Sequence, residues 1–300
     1  MVRLAPEVQA ALASGTPVVG LESSVLAQGL PAPRNAEAAE RMSVAVRSAG
    51  AVPAITGVVR GQVVAGLEPE ELSRFLLGHD VSKASARDLG AVMAGRRDAA
   101  TTVASALLIC HVAGIQVFAT GGIGGVHRTP AFDESADLIE LARTPVIVVC
   151  AGAKSVLDLA ATVERLETLG VTVIGYRTSE FPGFHYANTG IPVPSRFDDA
   201  GDVVAVFRSQ RALGHPAAVV VVQPPPAEAA LPRDEMENAI EESLRDAREA
   251  GVRGSVTTPW LLASLARRTA GRTVDVNLAL LEANARLAAE LAVRLASRDS

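Results

Sequence analysis

The residues whose types and spacing could do chemistry sit in short strings at the ends of apolar runs. The first is Lys154, in "VIVVCAGAKSVLDL". An apolar run leads into Cys150, then Ala151-Gly152-Ala153, then the lysine and a long helical pattern. A lysine in the first turn of a helix feels the positive end of the helix dipole. That field, with burial, disfavours the ammonium form and leaves an amine able to attack a sugar or keto carbonyl. An exposed lysine at a helix start is the plain alternative, and position alone leaves both readings open.

A second string, "FATGGIGGVHR", places Gly121, Gly122, Gly124 and Gly125 just after a strand. Such glycines let backbone N–H groups approach a ligand, often an anion. The dinucleotide pattern G-x-G-x-x-G fails, because it needs glycine where His127 stands, and the Gly-Lys-Ser/Thr of a P-loop is missing. Thr101 and Thr102 in "AATTVAS" fall at a helix start, where they either cap the helix or grip a phosphate. Lys83 in "VSKASARD" adds a cation beside a strand-like segment. Glu22, in "GLESSVLAQGLPAPRN", is a carboxylate just beyond a buried strand and a candidate acid/base. Asp133, Glu134 and Asp137 in "TPAFDESADL" offer oxygen ligands for Mg²⁺ or Mn²⁺, or acids in the first turn of a helix.

These strings need a scaffold, and the pattern between them supplies one. Short β-like runs alternate with longer helical patterns. "TPVVGLES" reads as strand then loop, and "NAEAAERMSVAVRSAG" as a helix ending at Gly50. "AVPAITGVVRGQVVAGL" reads as a hairpin turning at Arg60-Gly61. "EPEELSRFLLG" is a helix with Pro69 in its first turn, and "ATTVASALLICHVAG" is a helix capped at Gly114 that runs into the strand "IQVFAT". "TPVIVVCAG", "VTVIGY" and "AAVVVVQ" are further strands, a helix is expected over 154–169, and the chain is almost wholly helical from Arg233. Near-continuous Val/Ile runs suit strands covered on both faces. The expected fold is a three-layer α/β/α domain over residues 1–300, with a mixed, largely parallel sheet and a helical C-terminal region.

Composition excludes several classes. With 49% hydrophobic and 20% charged residues the chain can bury a large core and is not disordered. A net charge of −5 without a basic patch speaks against nucleic acid. No leader-like segment and no long apolar span is present, so a cytoplasmic protein is expected. Cys110 and Cys150 lie in apolar runs and read as reduced packing residues. Strand exits and helix starts are where α/β sheets bind ligands. A phosphate grip, an acid, a metal site and a lysine at such places describe an enzyme acting on a phosphorylated sugar.

In this order, "GLESSV", "VSKASARDL", "ATTVAS", "FATGGIGGVHR", "FDESADL" and "VVCAGAKSVLDL" closely resemble the pseudouridine-5′-phosphate glycosidase family, also called indigoidine synthase A-like. The likeness runs from about residue 16 to 290. It implies a mixed sheet between helix layers, a homotrimer, and reversible cleavage of pseudouridine 5′-phosphate to uracil and ribose 5-phosphate with Mn²⁺ or a similar divalent ion. By the same resemblance Lys154 is the nucleophile and Glu22 the proton donor. Lys83, Thr102, Val103, His127, Ser135, Ala136 and Asp137 bind substrate, Asn277 contacts the base, and Asp133 holds a hydrated metal. Two departures stand out. The segment between His127 and Asp133 is shorter than in many relatives, which would allow the metal onto Asp137 instead. Asp98 and Ala99 replace a glycine-containing stretch. Two other classes fit the same residues: a Schiff-base sugar-phosphate lyase or aldolase, and a non-catalytic protein that binds a sugar phosphate or nucleotide.

Overall fold

The computed structural model describes residues 2–128, 133–252 and 257–297. In chain order the first half holds β1 (Arg3–Leu4), α1 (Pro6–Ser14), β2 (Val18–Leu21), α2 (Arg34–Ser48), β3 (Val52–Val59), β4 (Gln62–Ala65), α3 (Pro69–Leu77), β5 (Val81–Ala84), α4 (Leu89–Ala94), β6 (Asp98–Thr101), α5 (Val103–Ala113) and β7 (Val117–Ala119). The second half holds β8 (Val126–His127), α6 (Ala136–Leu141), β9 (Ile147–Cys150), β10 (Leu157–Asp158), α7 (Leu159–Thr168), β11 (Thr172–Tyr176), β12 (Ser195–Phe197), α8 (Ala200–Ala212) and β13 (Val219–Val222). Three helices close the chain: α9 (Arg233–Glu249), α10 (Thr257–Arg268) and α11 (Arg272–Ala296).

The main sheet runs β1-β4-β3-β2-β7-β9-β13-β11-β12, with β6 on β3 and β5 on β6. From β3 to β12 every neighbour is parallel; β4 and β6 pair antiparallel with β3. The expected mixed, largely parallel sheet is present. Its centre follows from composition: all four valines of β13 and all four residues of β9 are fully buried. Each such side chain contributes about 1.5–3 kcal/mol by leaving water. Helix α11 lies over β2, β7 and β9 with α2 and α8 beside it, and α5 covers β2 and β7 from the opposite side. The hairpin turns at Arg60 and Gly61, both with positive φ, as the sequence suggests.

After β2 the chain moves to β3 on one side, and after β7 it moves to β9 on the other. The crevice between β2 and β7, at their carboxyl ends, is therefore a topological switch point, the place where such sheets bind ligands.

Two expectations need correction. The helix expected over 154–169 begins only at Leu159. Residues before it form β10, which pairs antiparallel with β8, and Asp158 caps the helix by accepting from the Ala161 N–H at 2.9 Å. Lys154 therefore lies outside the helix, four residues before its N-cap. Thr101 closes a strand rather than opening a helix, and only Thr102 stands at the N-cap of α5. Helix α8, absent from the sequence reading, packs against α11.

Candidate active site

Glu22 is the residue immediately after β2, and its carboxylate is buried. Ser24 Oγ donates to one oxygen at 2.6 Å, and the hydroxyl of Thr120, just beyond β7, donates to the other. The backbone beneath is bolted to its neighbours through hydroxyls. Thr56 Oγ1 donates to the Leu21 carbonyl at 3.0 Å and lies 2.8 Å from Thr101 Oγ1, while the Thr101 N–H donates to Ser23 Oγ at 2.9 Å. Thr101 thus spends its hydroxyl in the core instead of on a phosphate. The Thr102 hydroxyl is different: at the start of α5 it is buried and has no partner among the described residues.

The glycine string runs beside the segment after β9. The Ile123 N–H donates to the Gly152 carbonyl at 3.0 Å, and the Lys154 N–H donates back to Ile123 at 3.1 Å. Gly124 N–H goes to Asp137 Oδ2 at 2.8 Å and Val126 N–H to Thr162 Oγ1 at 3.0 Å. Several of the amides expected to grip an anion are therefore taken by protein, and the glycines serve close packing. A Cβ on Gly124 would lie 2.2 Å from Ser135 Oγ. At Gly152, φ is +80° and a Cβ would lie 2.0 Å from the Pro182 carbonyl oxygen. Gly152→Ala should cost roughly 2–5 kcal/mol through left-handed strain and backbone overlap. Urea unfolding checks this, and a midpoint equal to the parent's would contradict it.

Lys154 is held by its loop. Arg128, at the end of the glycine string, donates to the carbonyls of Ser155 and Leu157, each at 3.2 Å. Its guanidinium meets Glu237 of α9 in a two-pronged pair of 2.8 and 3.1 Å, and Tyr186 donates to the same carboxylate at 2.6 Å. Burial favours protonating Glu237, but the hydrogen bonds from Arg128 and Tyr186 outweigh it and hold its acidity above normal. Ser155 Oγ sits 2.9 Å from His185 Nδ1. Complete burial pushes that imidazole down to about 3, so it is a weak base and the Ser–His pair braces the loop.

Glu22, Lys83, Lys154 and Asn277 line one cleft, joined by Gln28 and Phe184. Burial, then the positive charge of Lys154, pushes the Lys83 ammonium below its usual range, and Glu22 and Asp137 partly offset this. A bound anion beside Lys83 would favour its ammonium form. Asp137 is buried, and its second oxygen accepts from the Ala104 N–H at 2.9 Å, so it ties the glycine string to the start of α5 beside Val103. Ser135 caps α6 just before Ala136, accepting from the Asp137 N–H. His127 and Asp133 are joined by a backbone hydrogen bond of 2.9 Å. Burial, and Lys154 nearby, push the His127 imidazole down, against the pull of Asp133. The arrangement sets two lysines and a carboxylate around one space at the switch point, a geometry suited to forming an imine and moving a proton.

Several contributors have no local motif. Thr120 and Ser24 on Glu22, Gln28, Phe184 and the Arg128–Glu237 pair depend on contacts between distant segments. Asn284 was findable. It lies seven residues, two helical turns, after Asn277 on α11 and donates to the carbonyls of Thr120 and Gly121 at 2.8 and 3.3 Å.

The chain is similar to several known proteins. A protein of Gemmatimonas aurantiaca named pseudouridine-5′-phosphate glycosidase is 58% identical over 95% of this chain and 93% of its own. One of the same name from Herpetosiphon aurantiacus is 50% identical over 97% of each chain. Among solved structures, the prealnumycin C-glycosynthase AlnA in complex with ribulose 5-phosphate superposes with a TM-score of 0.91 at 38% identity, over 99% of this chain and 97% of that one. An indigoidine synthase A-like protein from Thermotoga maritima gives the same score at 36% identity, over the same shares of the two chains. The family model for indigoidine synthase A like proteins matches residues 7–294, and on that match and these relatives the chain belongs to the indigoidine synthase A-like family.

Proposed function

We propose that this protein cleaves, reversibly, the C–C glycosidic bond of pseudouridine 5′-phosphate to give uracil and ribose 5-phosphate. The observation that carries the reading is the convergence of Glu22, Lys83 and Lys154 on one cleft, in a chain whose relatives bear that name. The AlnA complex, a C-glycosynthase holding a pentulose 5-phosphate, supports a sugar-phosphate substrate and C-glycoside chemistry.

A C–C glycosidic bond has no heteroatom leaving group, so the two carboxylates of ordinary glycosidases do not suffice. Glu22 delivers a proton to the ring oxygen as the C1′–O4′ bond breaks, and Lys154 Nζ bonds to C1′. The attached nitrogen gives up a proton to the Glu22 carboxylate; its lone pair then forms a C1′=N iminium while the C1′–C5 bond breaks, and the base leaves with that electron pair and takes the proton from Glu22 on C5. Water adds to the imine and frees the aldehyde of ribose 5-phosphate, restoring the amine. Covalent catalysis divides one hard step into easier ones. Lys83, the unpartnered Thr102 hydroxyl and the backbone at Val103 receive the phosphate, and Ser135, Ala136, Asp137 and His127 shape the sugar-phosphate end.

A Mn²⁺ or similar ion belongs to this reading in hydrated form. Among the described residues no three His, Cys, Asp or Glu side chains converge as a metal cage. Asp133 beside His127 provides one carboxylate, which suits an ion that keeps its waters and shares substrate phosphate. Asp137 is the poorer ligand, because both its oxygens accept backbone N–H groups. When bound, the ion would neutralise phosphate charge. A homotrimer and a cytoplasmic setting complete the reading; the two buried, unpaired cysteines suit a reducing compartment. One domain spanning 1–300 is supported by the continuous sheet.

Incubation with pseudouridine 5′-phosphate and Mn²⁺ should release uracil. EDTA should suppress release without lowering the melting temperature, and Mn²⁺ should restore it. Metal-loaded protein that releases no uracil refutes the function; undiminished release in EDTA refutes the metal.

A further inference from the structure

The lining of the cleft holds two amide oxygens with nothing to accept. Gln28 Oε1 and Asn277 Oδ1 are both buried and, among the described residues, without a hydrogen-bond partner. Gln28 belongs to a π-type turn, Val25–Gly29, a local irregularity that recurs at functional sites. Its Nε2 donates to the Val81 carbonyl, at the start of the strand carrying Lys83, at 2.9 Å. That bond fixes which end of the amide is oxygen, so an acceptor is what remains. Asn277 projects from α11 over the bare backbone of Gly121, where a Cβ would lie 3.2 Å from its Oδ1. The Glu22 oxygens, by contrast, already receive hydroxyls. An unpaired buried acceptor is costly, and a ligand supplying an N–H recovers that cost.

We infer that Gln28 is a specificity residue that accepts a ring N–H of the leaving base, beside Asn277. This rests on the function proposed above. A uracil joined through C5 carries two ring N–H groups, N1–H and N3–H, whereas one joined through N1 carries only N3–H. The acceptor that the Val81 bond fixes on Gln28, with the Asn277 oxygen beside it, matches the first and leaves one acceptor unpaired against the second. Sites built to hydrogen-bond a substrate N–H reject analogues lacking it because the protein group is left buried and bare.

The test is a cycle of three substrates and two variants: pseudouridine 5′-phosphate and its N1-methyl and N3-methyl derivatives, with Gln28→Ala and Gln28→Met, the latter keeping volume without an acceptor. The parent protein should cleave both methylated substrates less efficiently than pseudouridine 5′-phosphate, by roughly 10–100-fold in kcat/KM. Each Gln28 variant should lose about 10-fold on the unmethylated substrate and close the gap for one methylated substrate to within about threefold. Gaps unchanged in both variants, or parent protein indifferent to both methyl groups, overturn the inference while leaving the function standing. If neither variant folds, the parent's discrimination decides alone. Failure to cleave pseudouridine 5′-phosphate itself is a failure of the function, not of this inference.

Discussion

Lys154→Ala should abolish uracil release, with a loss of roughly 10⁴-fold or more, the scale seen when a covalent nucleophile is removed. The fold should survive. Among the described residues no hydrogen bond or ion pair involves the Lys154 side chain, and its backbone N–H bond to Ile123 is untouched by the substitution. Melting temperature should therefore stay close to the parent's while turnover vanishes. Lys83 remains in the cleft in this variant, with the positive charge that disfavours its own ammonium removed. If the two lysines were interchangeable, Lys154→Ala would keep substantial activity. Steady-state uracil release with a circular-dichroism melt on the same sample separates these outcomes.

Glu22→Gln is the second large effect. The substitution keeps the volume of a buried side chain and one oxygen acceptor, but removes the group proposed above to carry the proton to O4′. A loss of about 10²–10⁴-fold in kcat is expected, the usual range for general acid–base groups, with KM near that of the parent. The new amide NH₂ meets a hydroxyl from Ser24 or Thr120, which can rotate to accept, so stability should change little. A raised KM with normal kcat would instead make Glu22 a binding residue.

Much of the frame is legible in the sequence because its strands are covered on both faces. The unbroken valines of β13 and the apolar run of β9 can only be buried strands or buried helix, and their shortness decides. The Arg60-Gly61 turn and the Gly114 cap are local and read directly. The start of α7 misleads because Val156, Leu157 and Leu159 imitate helical spacing, whereas the Asp158 cap and the carbonyls held by Arg128 keep 154–158 out of the helix.

Glu22 and Lys154 can be picked out as reactive types just past strand ends, and Lys83 as a cation on a strand-like segment. What orients them cannot. Arg128 reaches Glu237 across 109 residues, and the Thr120 hydroxyl reaches Glu22 across 98. Such pairings follow from sheet order rather than from any local pattern. The glycine string shows the reverse error: its composition suggests an anion grip, yet close packing against Ser135 and Thr162 explains Gly124 and Gly125.

The central claim is that Lys154 carries the sugar, and trapping tests it most directly. Protein turning over pseudouridine 5′-phosphate is quenched with borohydride, digested, and its peptides mapped by mass. The account predicts one reduced pentose-phosphate adduct, on the peptide containing Lys154, formed together with released uracil and absent from Lys154→Ala. An adduct on Lys83, or uracil released at full rate with no trappable adduct, would contradict it.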